Sequence, residues 1–379
     1  MKYTCKCCGR EYLELPKKLH CCCGASLWMN YSHELKRKDI IQNDFSMWRY
    51  ETALPIKKKD RSVTLGEGMT PLLQENWNGH EIWIKNESAE PTGSFKDRGI
   101  ALSINDAIRR GCIHIAEDSS GNAGASTAAY AACAGIQCDI YVPAYTSEGK
   151  VGQIIAHGAT IQKVDGNRIH TAEVAQSGEN GALYIGHNWY PAFVEGIKTV
   201  AYEIWEQMGF KSPDVFLCAA GNGSMVLGAY LGFQDLLDSG EIEKMPRIYG
   251  VQASSCNPIS RLFRGESIDF AQRETIAEGI ALYRSSKALE TVTAVCQSGG
   301  KMIDVEEDEI ARALGQLVQK GLFAEPTSAA AFAGLTKLLA QGEIKENDKV
   351  AITLSGNGLK AVEKILAILH GKGGEQKNV

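Results

Sequence analysis

Short apolar runs alternate with amphipathic stretches along most of the chain. The runs are rich in β-branched residues and have the length of strands, whereas apolar positions between several of them recur every three or four residues. Apolar strands separated by helices are typical of parallel sheets covered by helices on both faces, so the pattern predicts an α/β protein. The predicted strands are 82–85, 114–116, 138–142, 215–218, 247–251 and 349–354, and helical spacing is clear over 196–207 and 309–320.

Three of the predicted strands lead into loops of small residues. Where a Gly-rich loop feeds a helix, backbone N–H groups converge and the helix dipole favours an anion. Ligands of parallel sheets also bind at the carboxyl ends of the strands. Each loop alone is more typical of a plain turn than of a ligand site, but the three together predict a ligand site. The loops are 119–124, 221–224 and 355–360.

One lysine, Lys96, follows a Pro-Thr-Gly-Ser turn at the start of a helical run. Pro91 and Gly93 favour the turn, and Ser94 is a candidate N-cap, so the positive end of the helix is expected beside the lysine. A lysine attacks a carbonyl when burial or nearby positive charge lowers its pKa. Lys96 could therefore form a Schiff base with an aldehyde cofactor. The alternative is a surface lysine at an ordinary helix start.

Length and charge narrow the class of protein. A chain of 379 residues exceeds the usual size of a single core, which favours two domains and a small appendage. A formal net charge of -5 argues against nucleic acid or an anionic membrane as the main partner. We find no apolar run of signal-peptide or bilayer-spanning length. We therefore expect a cytoplasmic protein that binds a small molecule, and a disordered Gly- and Lys-rich tail from Gly371.

Six of the twelve cysteines lie in the first 23 residues. Two cysteine turns, each followed by Gly, are how a zinc ribbon offers four thiolates to a tetrahedral ion. The second turn is Cys-x-Cys rather than Cys-x2-Cys, and a ribbon that folds without metal is the alternative. Four protein ligands leave no open position for catalysis, so any zinc is structural. The predicted ligands are Cys5, Cys8, Cys21 and Cys23.

These motifs together resemble the pyridoxal-phosphate enzymes of fold type II, the tryptophan synthase β superfamily, and within it the threonine synthases. The resemblance covers nearly everything from Gly66 onward, and many bacterial and archaeal threonine synthases also carry a cysteine-rich ribbon. The motifs are Gly66-Glu67-Gly68-Met69-Thr70-Pro71-Leu72, Pro91-Thr92-Gly93-Ser94-Phe95-Lys96-Asp97-Arg98-Gly99, Ser120-Gly121-Asn122, Glu195-Gly196-x-Lys198-Thr199 and Glu325-Pro326-Thr327-Ser328-Ala329-Ala330.

The resemblance implies an architecture and a cofactor. It implies two parallel-sheet, three-layer domains with an N-terminal zinc-ribbon-like segment, pyridoxal 5'-phosphate as cofactor, a structural zinc ion and a homodimer. The expected divisions are a ribbon-like segment over 1–35, a large cofactor-binding domain over 36–100 and 196–370, and a small domain over 101–195.

The resemblance also assigns roles to individual residues. Lys96 would bind the cofactor covalently and then carry the substrate proton, Asn122 would contact the cofactor's phenolic oxygen, and Ser355 its pyridine nitrogen. A hydroxyl leaves that nitrogen neutral, which suits expulsion of a leaving group. The phosphate would be held by Gly221, Asn222, Gly223 and Ser224, and the substrate by Thr92, Ser119, Ser120, Ala123, Asn188 and Lys198.

Four departures from the threonine synthase pattern disturb the expected substrate site and leave the cofactor residues intact. Phe193 stands where an arginine is expected, and loss of a buried arginine–phosphate pair typically costs several kcal/mol. Lys198 and Arg98 remain as candidate phosphate partners or, alternatively, as structural ion-pair residues. The other departures are Ala123 in place of Thr, Ser355 and Asn357 in place of Thr and His, and the dehydratase-like run Thr275–Ile280.

The function expected from this resemblance is that of a pyridoxal-phosphate lyase or synthase of the threonine synthase group. Lys96 would remove the α-proton, and elimination and replacement of a β- or γ-substituent would follow, as in conversion of O-phosphohomoserine to threonine. The alternative is a β-eliminating or β-replacing enzyme, of dehydratase, ammonia-lyase or sulfhydrylase type, acting on a serine-, threonine- or diaminopropionate-like substrate. A non-catalytic binding protein would not need Lys96, Asn122, the 221–224 loop and Ser355 together. A nucleic-acid-binding ribbon is disfavoured by the acidic chain.

Overall fold

The computed structural model describes residues 2–178, 180–268 and 273–371, and the predicted tail beyond Gly371 lies outside these residues. Its strands are β1 (Lys2–Cys5), β2 (Glu11–Tyr12), β3 (Leu27–Asn30), β4 (Leu72–Trp77), β5 (His80–Asn86), β6 (His114–Glu117), β7 (Gln137–Pro143), β8 (Thr160–Val164), β9 (Leu183–Tyr184), β10 (Val215–Ala219), β11 (Arg247–Ala253), β12 (Met302–Val305) and β13 (Val350–Leu354).

The structure contains α-helices and short 3-10 helices between and after these strands. The α-helices are α1 (Lys96–Arg109), α2 (Asn122–Ala134), α3 (Glu148–Ala156), α4 (Arg168–Ser177), α5 (Pro191–Ile197), α6 (Thr199–Gln207), α7 (Ser224–Asp238), α8 (Pro258–Phe263), α9 (Ala288–Gln297), α10 (Glu307–Gln319), α11 (Pro326–Ala340) and α12 (Val362–His370). Short 3-10 helices are Arg37–Asp39, Met47–Ala53, Lys58–Asp60, Glu87–Ala89, Glu278–Ile280 and Gly358–Lys360. Within the described ranges, every helix is too short or too polar to cross a bilayer.

The chain forms two compact units. The first contains the described residues up to Met69, together with Glu90–Lys211 and Leu227–Met245. The second contains Thr70–Ala89, Ser212–Val226 and the chain from Pro246 onward. Contacts therefore group 36–69 and 90–100 with 101–195, whereas the sequence assigns them to the larger domain.

The second unit is built on a six-stranded sheet in the order β12-β11-β10-β13-β5-β4. Its strands are parallel except β4, which pairs with β5 in the antiparallel sense. Every residue of β13 is buried, as expected for a strand covered on both faces. The α/β prediction is confirmed here, since the strands predicted at 82–85, 215–218, 247–251 and 349–354 all belong to this sheet.

The first unit contains a four-stranded parallel sheet in the order β8-β7-β6-β9. The strands predicted at 114–116 and 138–142 form its centre, β6 and β7. The prediction missed β8 and β9, because β8 is mostly polar and contains no fully buried residue, and β9 has only two residues. The carboxyl ends of β6 and β9 lead into the loops that carry the predicted substrate residues.

The N-terminal segment of the first unit is a small antiparallel sheet in the order β2-β1-β3. Gly9 and Gly24, with φ of +72° and +84°, close the two cysteine turns in a left-handed conformation that L side chains rarely adopt. The turns therefore bring their cysteines to the same end of the sheet.

Close packing of α1 on α5 explains why residues 90–100 belong to the first unit. A Cβ atom on Gly99 would lie inside the ring of Phe193, and one on Gly196 would collide with the Arg98 carbonyl. Absence of side chains at Gly99 and Gly196 lets the two helices approach. Lys96, at the start of α1, is therefore held beside Phe193.

Candidate active site

Lys96 is the first residue of α1 and is half-buried. Its ammonium nitrogen lies 4.7 Å from the centroid of the Phe95 ring and 5.4 Å from that of Phe193. Aromatic faces at these distances attract a cation and exclude water from it. The predicted turn therefore places the amine between two rings.

Asp97 fixes the turn before Lys96. Its carboxylate accepts hydrogen bonds from the Thr92 backbone N–H (2.6 Å) and from Thr92 Oγ1 (2.6 Å). The prediction that Ser94 caps the helix is wrong: Phe95 holds the cap position. Ser94 Oγ is buried and has no hydrogen-bond partner among the described residues. Because Asp97 stabilises the turn, the Ser94 hydroxyl is left for a different partner.

Two cations that could bind a substrate phosphate are already committed. Arg98 is fully buried between Glu90, with Nε 3.0 Å from Oε1, and Glu203, with Nη2 2.8 Å from Oε2. Lys198 Nζ lies 2.8 Å from Asp235 and 3.0 Å from Glu195. Burial disfavours the charged lysine, but the two carboxylates outweigh it and raise the pKa of Lys198. Arg98 and Lys198 therefore both form buried ion pairs, which was the structural alternative to binding a substrate phosphate.

The loop after β6 holds the largest group of predicted substrate residues. Ser119 and Asn122 are half-buried, whereas Ser120 and Ala123 are buried. Asn122 begins α2, so these side chains surround the N-terminus of a 13-residue helix. Such a terminus favours a carboxylate. Thr92 lies on another loop, and its hydroxyl is bonded to Asp97.

The connection between β9 and α5 contributes a second wall. Asn188 lies on it and is half-buried. Phe193, in α5, is completely buried where the family pattern has an arginine. At Phe193, where the family pattern predicts a cationic side chain, this wall is therefore apolar.

The same connection also binds an acid that the sequence analysis did not single out. Glu117, at the end of β6, is completely buried and accepts hydrogen bonds from His187 Nδ1 (2.9 Å) and the His187 backbone N–H (3.0 Å). Burial raises the pKa of Glu117 to about 7, opposed by the His187 N–H and by the charge of Lys96. The sequence signal that could have identified this group is the pair of adjacent acids, Glu117 and Asp118, at the end of a buried strand.

Asp118 is the second of these acids. Its Oδ1 accepts a hydrogen bond of 2.6 Å from the hydroxyl of Tyr184. Burial and the neighbouring charge of Glu117 raise the pKa of Asp118 to about 6. The end of β6 thus carries two carboxyl groups that ionise near neutral pH.

In the second unit, the predicted phosphate loop joins β10 to α7. Gly223 has φ of +92°, and a Cβ there would overlap the side chain of Thr291. Asn222 bonds to the Ser286 backbone N–H (2.9 Å), and its carbonyl accepts from Ser285 Oγ (3.1 Å). The loop is therefore tied down at the N-terminus of a 15-residue helix that begins at Ser224.

Ser355 follows β13 and is buried in the second unit. Its Oγ lies 3.1 Å from Ser328 Oγ, which also accepts the Gly356 backbone N–H at 3.1 Å. Both groups are neutral hydroxyls. The position predicted to contact a ring nitrogen thus offers a hydroxyl oriented by a second serine.

The four predicted zinc ligands come together in the ribbon. The sulfur atoms of Cys5, Cys8, Cys21 and Cys23 all lie within 4.8 Å of one another. A hydrogen bond from the Cys23 backbone and a smaller effect of the Tyr12 hydroxyl lower the pKa of Cys21 to about 5, whereas burial raises the pKa of Cys5 to about 12. This donor set fits a tetrahedral zinc ion.

Comparison with known proteins places these features in a family. The family model described as "Pyridoxal-phosphate dependent enzyme" matches residues 63–356. The threonine synthase of Methanocaldococcus jannaschii is 33% identical over 377 residues, which cover 95% of this chain and 93% of that protein. The threonine synthase of Halalkalibacterium halodurans is 35% identical over 328 residues, 83% of this chain and 90% of that one.

Solved structures are similar in fold. Threonine deaminase isoform 2 from Solanum lycopersicum superposes with a TM-score of 0.70 at 20% identity, over 89% of this chain and 90% of that one. A pyridoxal 5'-phosphate-dependent aspartate racemase gives a TM-score of 0.67 at 23% identity, over 78% of this chain and 92% of that one. The predicted fold class is confirmed by these similarities.

Proposed function

The chain belongs to the family of pyridoxal-phosphate dependent enzymes, and we propose that it is a threonine synthase-like lyase whose substrate is an amino acid with an unphosphorylated β-substituent. The reaction class is that of its relatives, elimination and replacement at the side chain of an amino acid. The observation that carries the choice of substrate is the apolar wall at Phe193.

Three observations support the binding of pyridoxal phosphate by these residues. The buried Ser94 hydroxyl lacks a partner among the described residues and lies two positions before Lys96. Gly223 has φ of +92°, and its loop leads into the N-terminus of a 15-residue helix, where backbone N–H groups favour an anion. Ser355 provides a neutral hydroxyl. Lys96 would hold the aldehyde carbon, Asn122 the phenolic oxygen and Ser355 the pyridine nitrogen, and the phosphate would be held by Gly221, Asn222, Gly223 and Ser224.

The protein's own groups supply proton transfer and orientation. When bound, pyridoxal phosphate supplies an electron-withdrawing ring that acidifies the α-carbon of the amino acid. Lys96 then accepts the α-proton at Nζ, and the rings of Phe95 and Phe193 keep water from that nitrogen. The N-terminus of α2, with Ser119, Ser120 and Ala123, binds the substrate carboxylate.

Phosphate recognition would need a cation, and the candidate residues do not offer one. Phe193 is apolar, Arg98 is bound to Glu90 and Glu203, and Lys198 is bound to Glu195 and Asp235. A serine-, threonine- or diaminopropionate-like substrate requires no such cation. The second candidate, threonine formation from O-phosphohomoserine, is favoured by the names of the curated relatives.

A substrate panel distinguishes the two candidates. The purified holoenzyme is mixed with diaminopropionate, serine, threonine or O-phosphohomoserine, and keto acid, ammonia, threonine and phosphate are measured. Our proposal predicts keto acid and ammonia from an unphosphorylated substrate. Release of phosphate with formation of threonine from O-phosphohomoserine alone would contradict it and support the second candidate.

Three further properties are proposed from the resemblance and the site chemistry. Cys5, Cys8, Cys21 and Cys23 would bind one structural zinc ion. The protein would be a homodimer located in the cytoplasm. Light scattering and cell fractionation test these last two points.

A further inference from the structure

The cysteine ribbon, residues 2–31, contacts the part of the first unit that borders Lys96. We call residues 188–195 the wall segment, since it includes Asn188 and Phe193. The Lys96 amine lies 5.4 Å from the centroid of the Phe193 ring. Strand β3 of the ribbon packs against α5, the helix that carries Phe193. Three contacts between side chains add to this packing.

The first contact joins the second cysteine turn to the wall segment. His20 immediately precedes the predicted zinc ligand Cys21, and its Nδ1 lies 2.9 Å from the Cys21 backbone carbonyl oxygen. The ring of His20 packs against the ring of Trp189, with centroids 5.5 Å apart. A change in the path of this turn would therefore displace a ring that packs on Trp189.

The second contact runs from β1 through the end of α1. The Arg110 guanidinium donates a hydrogen bond to the Tyr3 hydroxyl in β1, and its Nε donates to Asp106 Oδ2 at 2.8 Å. Asp106 Oδ2 also accepts a hydrogen bond of 2.9 Å from the hydroxyl of Tyr190. Asp106 and Tyr190 are both buried, and hydrogen bonds shielded from water are strengthened by the low local dielectric. The position of Tyr190 is therefore tied to that of β1.

The third contact starts at Tyr31, which directly follows β3. Its hydroxyl donates a hydrogen bond of 2.5 Å to Oε2 of Glu195 in α5. The same carboxylate is buried and lies 3.0 Å from the Lys198 ammonium. Tyr31 therefore helps to satisfy a buried acid that lies two residues after Phe193.

These contacts converge on one short segment. Positions 189, 190 and 195 are each joined to a different part of the ribbon, and they flank Phe193 on both sides. Side chains held in place before a ligand arrives spare the ligand the cost of ordering them. A ribbon of four cysteines folds around its metal ion, so the three contacts should depend on metal binding. Metal binding in the ribbon and ligand binding at the wall should therefore favour each other.

We propose that the cysteine ribbon is a positioning element for the amino-acid site. With zinc bound to its four thiolates, the ribbon holds the wall segment in place beside Lys96, and zinc and the amino-acid substrate therefore bind cooperatively. The positioning residues on the ribbon are Tyr3, His20 and Tyr31. This inference rests on the proposed function, which places an amino-acid substrate at this wall, and on the proposed zinc ion.

Two substitutions remove single contacts and leave the cysteines unchanged. Tyr31→Phe removes one hydroxyl and keeps the ring, and His20→Leu removes one imidazole. Two exposed positions of the first unit provide the matched controls Tyr145→Phe and His157→Leu. Thermal melting and zinc content check that all four variants fold and bind metal.

The measurement is a pair of titrations on the holoenzyme. Serine, diaminopropionate and O-phosphohomoserine are titrated and followed by the absorbance of the cofactor, before and after zinc is removed with a chelator. Zinc affinity is measured by competition with a chromophoric chelator, with and without a saturating amount of whichever amino acid changes the absorbance. Retention of pyridoxal phosphate is measured in parallel.

We expect removal of zinc to weaken amino-acid binding about 5- to 150-fold, the usual range for coupled sites, and the amino acid to tighten zinc binding by the same factor. In zinc-loaded Tyr31→Phe and His20→Leu, amino-acid affinity should fall toward that of the metal-free protein, and both controls should match the unaltered protein. Pyridoxal phosphate should be retained equally throughout, because its predicted phosphate loop belongs to the second unit. A purely structural ribbon would change the melting temperature but leave zinc affinity independent of the amino acid.

Three results would overturn the inference: no measurable zinc affinity, equal amino-acid affinity with and without zinc, or unchanged amino-acid affinity in both zinc-loaded variants. If the metal-free protein does not fold, the zinc-loaded variants carry the test. Failure of the proposed function looks different, because no amino acid would then change the cofactor absorbance. The emission of Trp189, taken as the difference from Trp189→Phe, then decides: it should change when zinc is removed, and a constant emission would refute the positioning role.

Discussion

The Lys96 ammonium faces the ring of Phe193 at 5.4 Å, and that ring in turn touches Gly99, three residues further along the same helix. The arginine expected at this position would place a second cation beside the lysine. A phenyl ring stabilises the first cation and fills the space against Gly99. One substitution therefore changes both the electrostatics of the lysine and the kind of substrate that fits.

Replacing Phe193 tests this relationship. Phe193→Ala removes a fully buried ring, so we expect the free energy of unfolding to fall by about 3–5 kcal/mol. The Phe193→Leu variant, which keeps most of the apolar volume, should lose less stability, and chemical denaturation measures both. Equal stability of Phe193→Ala and the unaltered protein would show that the ring does not hold α5 against α1.

Gly223→Ala should weaken retention of the cofactor. The added Cβ would overlap Thr291 Oγ1, so the loop must leave the conformation that we propose binds the cofactor phosphate. We expect the dissociation constant for pyridoxal phosphate to rise at least about tenfold, which corresponds to about 1.4 kcal/mol. Dialysis followed by cofactor titration measures this.

The control for Gly223 is Gly299, which lies in the same unit. Gly299 has φ of +74°, but a Cβ there would meet no atom within 4 Å. Gly299→Ala therefore carries only the strain of a left-handed residue, about 1–2 kcal/mol, with unchanged cofactor affinity. Equal cofactor affinity in both variants would refute the predicted role of the loop.

Chelation of metal should destabilise the ribbon. A tetrahedral set of cysteines folds around zinc, so metal binding contributes directly to stability. We expect one zinc ion per chain by elemental analysis and a lower melting temperature after chelation. Cys8→Ser should reproduce the loss, whereas Cys7→Ser, at an exposed neighbour outside the cluster, should not. Full stability of metal-free protein would favour a ribbon that folds without zinc.

Burial of Glu117 predicts a pH dependence of stability. The pKa of Glu117 rises from 4.5 to about 7, so the folded state binds more protons than the unfolded state between these values. Stability from this group is present below pH 4.5 and is lost as the pH rises through about 7. The loss is on the order of 3 kcal/mol, and the opposing effects of His187 and Lys96 on the carboxylate are already included in the pKa of about 7.

Glu117→Gln isolates that contribution. The amide cannot ionise, so the variant's free energy of unfolding should decline less between pH 5 and pH 8 than that of the unaltered protein. Asp118 contributes in the same direction, and because the charge of Glu117 is one cause of its raised pKa, the variant should also lose that part of the decline. Parallel pH profiles from urea titrations would refute the burial of an ionisable acid at this position.

Local motifs were sufficient to predict the features that depend on neighbouring residues. Lys96 with its turn, the 221–224 loop and the cysteine turns are each encoded within a few positions, and the long apolar strands show their burial directly. The Ser94 cap was predicted wrongly because the competing acceptor, Asp97, is recognisable only from its bonds to Thr92.

Features that depend on distant residues were beyond the sequence. Glu117 and His187 lie 70 positions apart, and only the pairing of β6 with β9 brings them together. Lys198 and Asp235 are 37 positions apart, so the sequence left a phosphate contact and a structural ion pair equally open for Lys198. The strand β8 was missed because its sequence is mostly polar, and it is a strand because its backbone pairs with β7, which the sequence does not reveal.

The most direct measurement is the visible absorbance spectrum of the purified protein and of its Lys96→Ala variant, each incubated with pyridoxal phosphate and then dialysed. We predict that the unaltered protein retains the band of lysine-bound cofactor, that a Lys150→Ala control on an exposed helix retains it equally, and that Lys96→Ala loses it. A protein without the band, or a band that survives loss of Lys96, would contradict the assignment of Lys96 as the residue that binds the cofactor.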